Sequence, residues 1–260
     1  MKDLILITGA SSGIGYHLAV QLAEKKFDLI ITARNEDAIN RLRNSLIEKY
    51  KVTVHVLISD LSQPGSAVTL FNDIREKNLT VTKVINNAGI GLYGNVIDLP
   101  LERQLAMIEL NVSSVVALTK LFAGEMVKRG SGTIMNVASL LSFLPFPYYS
   151  VYSATKTFVL AFSETMAAEL EGTGVNIVTL CPGPVDTNFT TDSMLSTNAY
   201  KANRPVSPEF VASEGVKLLL KGSGKKIVGF NNWFISNLPR ITPDRLMIRI
   251  KKHLASQRVS

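Results

Sequence analysis

Leu4-Ile5-Leu6-Ile7-Thr8-Gly9-Ala10-Ser11-Ser12-Gly13-Ile14-Gly15 is the stretch that decides the fold. Its leading residues, Leu4 to Ile7, form a short continuous apolar run, the pattern of a strand buried on both faces. Three glycines follow in a Gly-x-x-x-Gly-x-Gly spacing, and an amphipathic helix runs on to about Lys25. Strand, glycine loop and helix in that order is the setting that a phosphate-binding loop needs. Glycine lets the backbone turn tightly and approach a pyrophosphate, and the helix N-terminus offers free N–H groups and a partial positive charge. The spacing differs from the Gly-x-Gly-x-x-Gly of the commoner dinucleotide fingerprint. A glycine turn that only joins strand to helix is the competing reading.

The pattern repeats along the chain. A second strand, Asp28 to Thr32, ends in Ala33-Arg34-Asn35. A carboxylate at that strand end binds an adenosine ribose diol; Ala33 cannot, whereas Arg34 can pair with a 2′-phosphate. A charge-assisted contact of this kind is worth about 1.5–3 kcal/mol, which favours NADP(H) over NAD(H) by roughly 10- to 100-fold. The bland alternative is a solvated arginine at a turn. A helix at 36–50, a strand at 52–58 ending in Ser59-Asp60-Leu61, and a helix near 64–76 with Pro64 in its first turn come next. A strand at 83–85 runs into Asn86-Asn87-Ala88-Gly89. A continuous helical region over 101–128 holds Asn111, and a strand at 133–137 ends in Ala138-Ser139. Beyond a Pro- and aromatic-rich loop (143–149), further strands read at 175–180 and 226–229, the first ending in Cys181-Pro182-Gly183-Pro184-Val185-Asp186-Thr187, with a helix at 208–220 between them. Short buried strands alternating with helices predict one α/β domain over residues 1–260, a doubly wound parallel sheet of Rossmann type. Residues able to do chemistry recur at the strand C-termini (Thr8, Arg34, Asp60, Asn86, Ser139, Pro182), the edge where such folds bind ligands.

Tyr152-Ser153-Ala154-Thr155-Lys156 opens a helix from Val151 to about Glu171, with an apolar face expected from Phe158, Val159, Phe162, Met166 and Leu170. Tyr152 and Lys156, four apart, share one helix face. A free phenol titrates near ~10 and is a poor proton donor or acceptor at neutral pH. An ammonium beside it favours the phenolate and lowers that value, which makes the pair a proton-transfer device. By itself the pair is common on helices as a packed tyrosine and a solvated lysine.

Taken together, Thr-Gly-x-x-x-Gly-x-Gly at 8–15, Asp60 after the third strand, Asn-Asn-Ala-Gly at 86–89, Asn111, Ser139, Tyr-x-x-x-Lys at 152–156 and Pro-Gly at 182–183 resemble the ordinary, non-extended short-chain dehydrogenases/reductases from Leu4 to about Phe189. The resemblance implies a nicotinamide oxidoreductase acting on a small-molecule carbonyl or alcohol. It gives Tyr152 the proton transfer to or from the substrate oxygen, and Lys156 the lowering of its pKa and a hold on the nicotinamide ribose. Ser139 would hydrogen-bond the substrate oxygen, and Asn111 would anchor a water leading to Lys156. Gly9, Ser11, Ser12, Gly13, Ile14 and Gly15 would surround the pyrophosphate. Asp60 and Leu61 would meet the adenine, and Asn87, Ala88 and Gly89 the adenosine ribose. Pro182, Gly183, Val185 and Thr187 would hold the nicotinamide. Nothing in the motif set implies a metal. Asn111 as a packing residue, Ser139 as a turn serine and Asp60 as a helix N-cap stand as alternatives. So does a non-catalytic NADP(H)-binding regulator on the same fold, although its expected mark, a broken Ser–Tyr–Lys set, is missing. The extended relatives that act as epimerases or dehydratases carry a Gly-x-x-Gly-x-x-Gly loop, which this chain lacks.

Composition bounds the rest. The 260 residues are 46% hydrophobic with a net charge of +7, enough for one large core. From Lys217 to Ser260 there are ten Lys or Arg and one acidic residue, giving +9, while the remainder is −2. No nucleic-acid module accompanies the basic tail. The lone Cys181 fits a reducing compartment, and the apolar run after Met1-Lys2-Asp3 is too short for a secretory leader, so the expected setting is cytoplasmic. No continuous apolar run nears the ~20 residues of a membrane span. Residues 188–207 follow the nicotinamide loop and are expected to form a substrate lid. Phe143, Leu144, Phe146, Tyr148, Tyr149 and the 90–96 loop suggest an apolar or acyl-type substrate; the same aromatics also suit core or oligomer contacts. The tail, 231–257, is split by Pro239 and Pro243 into two short basic amphipathic helices. It can lie on an anionic membrane as a peripheral contact, or pack on the body or a second subunit. By analogy with the family, pairing through the helices near 101–128 and 151–171 would give a homodimer or homotetramer.

Overall fold

A computed structural model describes residues 3–187, 197–199, 203–240 and 242–256. Seven parallel strands run in the order β3-β2-β1-β4-β5-β6-β7: β1 Leu4–Thr8, β2 Asp28–Ala33, β3 Val54–Ile58, β4 Lys83–Asn86, β5 Gly132–Val137, β6 Val175–Cys181 and β7 Lys225–Ile227. The reversal of strand order beside β1 leaves a crevice at the strand C-termini. This is the doubly wound α/β sheet that the alternation of strands and helices predicts.

The helices are α1 Gly13–Glu24, α2 Glu36–Tyr50, α3 Ser66–Glu76, α4 Leu101–Ile108, α5 Ser114–Arg129, α6 Ser150–Glu169, α7 Pro208–Lys221, α8 Phe230–Asn237 and α9 Asp244–Ala255. The inner strands β1, β2, β4, β5 and β6 are buried on both faces, so alternate residues serve opposite layers. Ile5, Ile7, Leu29 and Ile31 pack with Leu18, Leu22, Ile39 and Val211 of α1, α2 and α7. Leu4, Leu6, Ile30 and Val84 pack with Leu70, Phe71, Leu118 and Phe122 of α3 and α5. Each such side chain contributes about 1.5–3 kcal/mol by leaving water.

Local chemistry sets the helix ends that matter for the site. Asn35 caps α2 by accepting from the Ala38 N–H at 2.9 Å, with Glu36 and Asp37 in the first turn; this holds Arg34 just outside the helix. Pro64 lies ahead of α3 and not in its first turn, because Gly65 takes the cap position at φ 81. The helical stretch 101–129 is broken by a π-turn at Glu109–Ser113. That stretch is long and apolar enough to cross a membrane by length and composition, with 44% of its window buried in the body. Leu118, Phe122 and Met126 sit in the core, which marks it as a core helix. On α6 the buried face is Tyr152, Ser153, Thr155, Lys156, Val159, Leu160 and Ser163. Phe158 is exposed and stacks against Phe162 on the outer side, so the apolar face expected there is rotated toward the polar catalytic candidates.

Candidate active site

A single cavity of about 960 Å³ runs along the C-terminal edge of the sheet. One end is lined by the glycine loop (Gly9, Ser11, Ser12, Gly13, Ile14), Arg34, Asp60, Leu61, Asn87, Ala88 and Gly89. The middle holds Ser139, Tyr152, Lys156, Pro182, Gly183, Val185 and Thr187. The sequence candidates are thus brought together, with two set behind the wall. Gly15 supports the loop from α1, and Asn111 is fully buried in the π-turn.

The glycine loop is shaped by its own packing. A Cβ on Gly9, at φ +67, would lie 2.9 Å from the Cα of Ala88, and one on Gly15 would overlap the Gly9 carbonyl oxygen. Ser12 starts α1 without a side-chain cap, so the first N–H groups of the helix keep their capacity for an outside acceptor. Thr8 ties this loop to the next strand end: its hydroxyl accepts from the Asn87 N–H at 3.0 Å and the Ala88 N–H at 2.9 Å. The Asn87 amide donates back to the Thr8 carbonyl at 2.9 Å. An uncapped helix start, a close-packed glycine turn and a cationic side chain at the β2 end fit the phosphates of a dinucleotide. Asp60 is no helix N-cap. Burial works to raise its carboxyl, but hydrogen bonds from the Ser62 hydroxyl (2.7 Å) and N–H (3.1 Å) outweigh it, with the Arg34 charge helping, and the group is held below the usual carboxylate range.

Tyr152 and Lys156 stand one turn apart on α6, both buried. Burial pushes the Tyr152 phenol up to about 12, and its hydrogen bond with Ser139 works the other way. The lowering expected from the lysine is not the governing influence here. The Lys156 ammonium instead donates to the carbonyl of Val137 at 2.9 Å, and burial pulls its own pKa down to about 8. Ser139 ends β5 and caps the short 3₁₀ turn Leu140–Ser142, accepting from the Leu141 N–H at 3.1 Å. Asn111 is not an ordinary helix-interior residue. The π-turn projects its side chain across to the 90–96 loop, where it accepts from the Ile90 N–H (3.0 Å) and donates to the Ile90 carbonyl (2.9 Å) and to the Thr155 hydroxyl (3.1 Å). A π-turn of this sort is often retained at functional positions. Gly89 lies between Asn111 and Lys156: a Cβ there would stand 3.2 Å from Asn111 Oδ1 and 3.3 Å from Lys156 Nζ.

The short chain dehydrogenase profile matches residues 3–197. The chain belongs to the short-chain dehydrogenases. It is 31% identical over 219 residues to sulfoacetaldehyde reductase 2 of Chromohalobacter salexigens, covering 82% of this chain and 86% of that one. It is 33% identical over 215 residues to an NADP-dependent 3-hydroxy acid dehydrogenase of Schizosaccharomyces pombe, covering 80% and 83%. A solved 7β-hydroxysteroid dehydrogenase structure superposes with a TM-score of 0.84 at 26% identity over 96% of both chains. This short-chain dehydrogenase is therefore an NAD(P)-dependent oxidoreductase, and the regulator reading is set aside.

Several supporting residues, Asn86 of the Asn-Asn-Ala-Gly motif aside, carry no motif. Asn86, Thr119, Asn136 and Ser163 form a buried chain across β4, α5, β5 and α6, with Asn86 Nδ2 to Asn136 Oδ1 at 2.8 Å and Asn136 Nδ2 to Ser163 Oγ at 2.9 Å. Ser142 donates to the Lys156 carbonyl at 2.7 Å. Asn232 of α8 reaches under the loop at 182–187: a Cβ on Gly183 would overlap it, while its amide donates to the Val228 carbonyl at 2.6 Å and its oxygen accepts from Asn203 at 2.6 Å. A polar residue in an apolar segment was the only signal available for these.

The far end of the cavity corrects the substrate-side expectation. Leu141, Leu144, Phe146 and Tyr149 line it, but Phe143 packs beneath with Val115 and Leu160, and Tyr148 is drawn away at a left-handed φ of 63. Tyr93 and Tyr149 meet with ring centroids 5.0 Å apart, and burial raises the Tyr149 phenol further than that of Tyr152. The rest of the wall comes from the tail, through Ile235, Leu238, Met247, Ile250, Lys251 and Leu254. Pro239 and Pro243 divide α8 from α9, as their spacing suggests. Residues 188–196 and 200–202 of the expected lid lie outside the described residues; Thr197, Ala199 and Asn203 line the same cavity.

Proposed function

We propose that this short-chain dehydrogenase prefers NADP(H) and interconverts a carbonyl and a secondary alcohol on an apolar or acyl-type substrate, with Tyr152 as general acid/base. The observation that carries the reading is the buried Ser139–Tyr152 hydrogen bond opening into a cavity that is glycine- and Arg34-lined at one end and apolar at the other. The nicotinamide, when bound, supplies or takes up the hydride. The protein residues do the rest. Tyr152, its phenol held protonated by burial, is suited to give a proton to a substrate carbonyl oxygen. Ser139, within hydrogen-bonding reach of that phenol, is suited to steady the same oxygen as charge builds on it. Lys156 offers a buried ammonium beside Gly89, in the part of the wall where the family holds the cofactor ribose. Asn111 fixes the π-turn against Ile90 and Thr155, and Thr155 is the residue before Lys156 on α6. Gly9 to Gly15, Asp60, Leu61, Asn87, Ala88 and Gly89 would hold the adenosine and pyrophosphate, and Pro182, Gly183, Val185 and Thr187 the nicotinamide.

Preference for NADP(H) rests on Arg34, which lines the cavity just after β2 where no carboxylate stands; the Schizosaccharomyces relative is NADP-dependent. The apolar substrate class rests on Leu141, Leu144, Phe146, Met247 and Leu254 in the wall, and the steroid-active neighbour has a comparable fold throughout its length. Homodimer or homotetramer formation is supported by the exposed Leu101, Leu105, Val127 and Phe158 on α4 to α6. A cytoplasmic setting is supported by the lone buried thiol of Cys181, which burial pushes up to about 12 and makes inert.

The test is NADPH oxidation by purified protein over ketones, aldehydes and 3-oxoacyl thioesters, with NADH in parallel. Tyr152→Phe is expected to lower kcat by about 10²–10⁴-fold with NADPH binding intact. Arg34→Ala is expected to raise KM for NADPH by roughly 10- to 100-fold and leave NADH nearly unaffected. Full turnover in Tyr152→Phe would overturn the role of the phenol, and equal use of NADPH and NADH by the unmodified protein would overturn that of Arg34.

A further inference from the structure

The two helices that wall the apolar end of the cavity have opposite faces that none of the described residues covers. Inwardly, α8, the turn after it and α9 pack Ile235, Leu238, Met247 and Leu254 in one cluster with Leu144 and Phe146. Outwardly, α8 presents Phe230, Trp233 and Phe234, spaced i, i+3, i+4, with 78%, 52% and 57% of their surface exposed. On α9, Leu246 and Ile248, 52% and 61% exposed, stand on either side of the buried Met247. Arg245, Arg249 and Lys252 are exposed on the same helix. Large apolar side chains clustered on a surface mark a contact. Ile250 is both exposed and part of the cavity wall, so the surface and the mouth of the cavity meet at that residue.

We propose that the outer faces of α8 and α9 dock on an anionic bilayer surface, and that the adjoining mouth admits the apolar substrate from that lipid. The second half rests on the substrate class proposed above; the first half does not. The charge pattern selects the occupant. Residues 217–260 carry +9 while the remainder of the chain carries −2. Basic residues near an anionic headgroup layer each favour binding about fivefold, and Trp and Phe are suited to the interface. A second copy packed symmetrically on this face would bring Arg245, Arg249 and Lys252 of both copies into one interface, with Asp244 the single acidic residue in the segment to balance them.

Trp233 is the only tryptophan in the chain, so its emission reports this face in the unmodified protein. Vesicles of phosphatidylcholine with phosphatidylserine are expected to shift the emission to the blue, brominated lipid to quench it severalfold, and about 0.5 M salt to reverse both effects. Pure phosphatidylcholine is expected to do much less. The variant Arg245→Glu/Arg249→Glu/Lys252→Glu is expected to bind the anionic vesicles at least about 100-fold more weakly, while keeping NADPH-dependent turnover of a water-soluble ketone. An unchanged emission on anionic vesicles overturns the docking surface. So does a shift that follows protein concentration without lipid, which would assign the face to a second copy. A vesicle-bound protein that reduces a membrane-dissolved ketone no faster than the charge-reversed variant overturns lateral entry. Turnover of the soluble ketone is read separately, so failure of the docking surface and failure of the reductase reading give different results.

Discussion

Replacing Lys156 by Met separates what the active site does from what it costs. The Lys156 ammonium is buried, and that burial lowers its pKa from 10.5 to about 8. The sign follows from proton linkage. Between pH 8 and 10.5 the unfolded chain holds a proton that the folded chain has shed, so this group makes the protein more stable as pH rises through that window. Below pH 8 the full cost of burying the charge is present; above 10.5 it is gone. From pH 7 to 9.5 the change is about 2 kcal/mol. The variant Lys156→Met keeps a similar side-chain volume and has no charge to bury. It also loses the 2.9 Å hydrogen bond to the Val137 carbonyl, worth about 1 kcal/mol. The stability of Lys156→Met relative to the parent, from urea unfolding without cofactor, is therefore expected to fall by about 2 kcal/mol between pH 7 and 9.5. Carbonyl reduction should be lost in the variant at every pH. A relative stability that stays flat with pH would show that the lysine is not charged in a dry site, and the account of its burial would be wrong.

Two further outcomes follow from the geometry. Gly15→Ala places a Cβ into the Gly9 carbonyl and against the Asn87 amide; the loop must shift, so NADPH affinity by fluorescence titration should fall at least tenfold, with a stability loss of about 1–3 kcal/mol, and affinity within twofold of the parent would refute it. Tyr93→Phe deletes the hydroxyl that donates to the Ala255 carbonyl at 2.8 Å; hydrogen exchange at the end of α9 should quicken by roughly fivefold, matching a bond of about 1 kcal/mol, while the sheet core stays protected.

Much of the site was legible because its parts are local. The strand–glycine loop–helix at 4–15, the Tyr152–Lys156 spacing and the strand-end residues each depend on backbone conformation within a few positions, which residue type controls directly. The cap of α2 by Asn35 is equally local, three residues from the Ala38 N–H it accepts. Helix ends with competing signals were less legible: Pro64 suits a first turn, yet Gly65 at positive φ took the cap. The π-turn at 109–113 has no local signature at all. It exists because Asn111 finds partners on Ile90 and Thr155, residues 21 and 44 positions away.

By itself the sequence determined the alternation of buried strands and helices, hence the parallel sheet and the edge that carries chemistry, because burial on both faces and glycine conformations are written residue by residue. Only the tertiary structure decided three things. Burial, not the neighbouring ammonium, governs the Tyr152 phenol, because desolvation depends on what packs around it. Phe143 and Tyr148 leave the cavity while Met247 and Leu254 join it, because a cavity wall is assembled from segments a hundred residues apart. The tail lies against the body with one face and leaves the other uncovered by the described residues, because an amphipathic pattern states that a face will be covered but not by what.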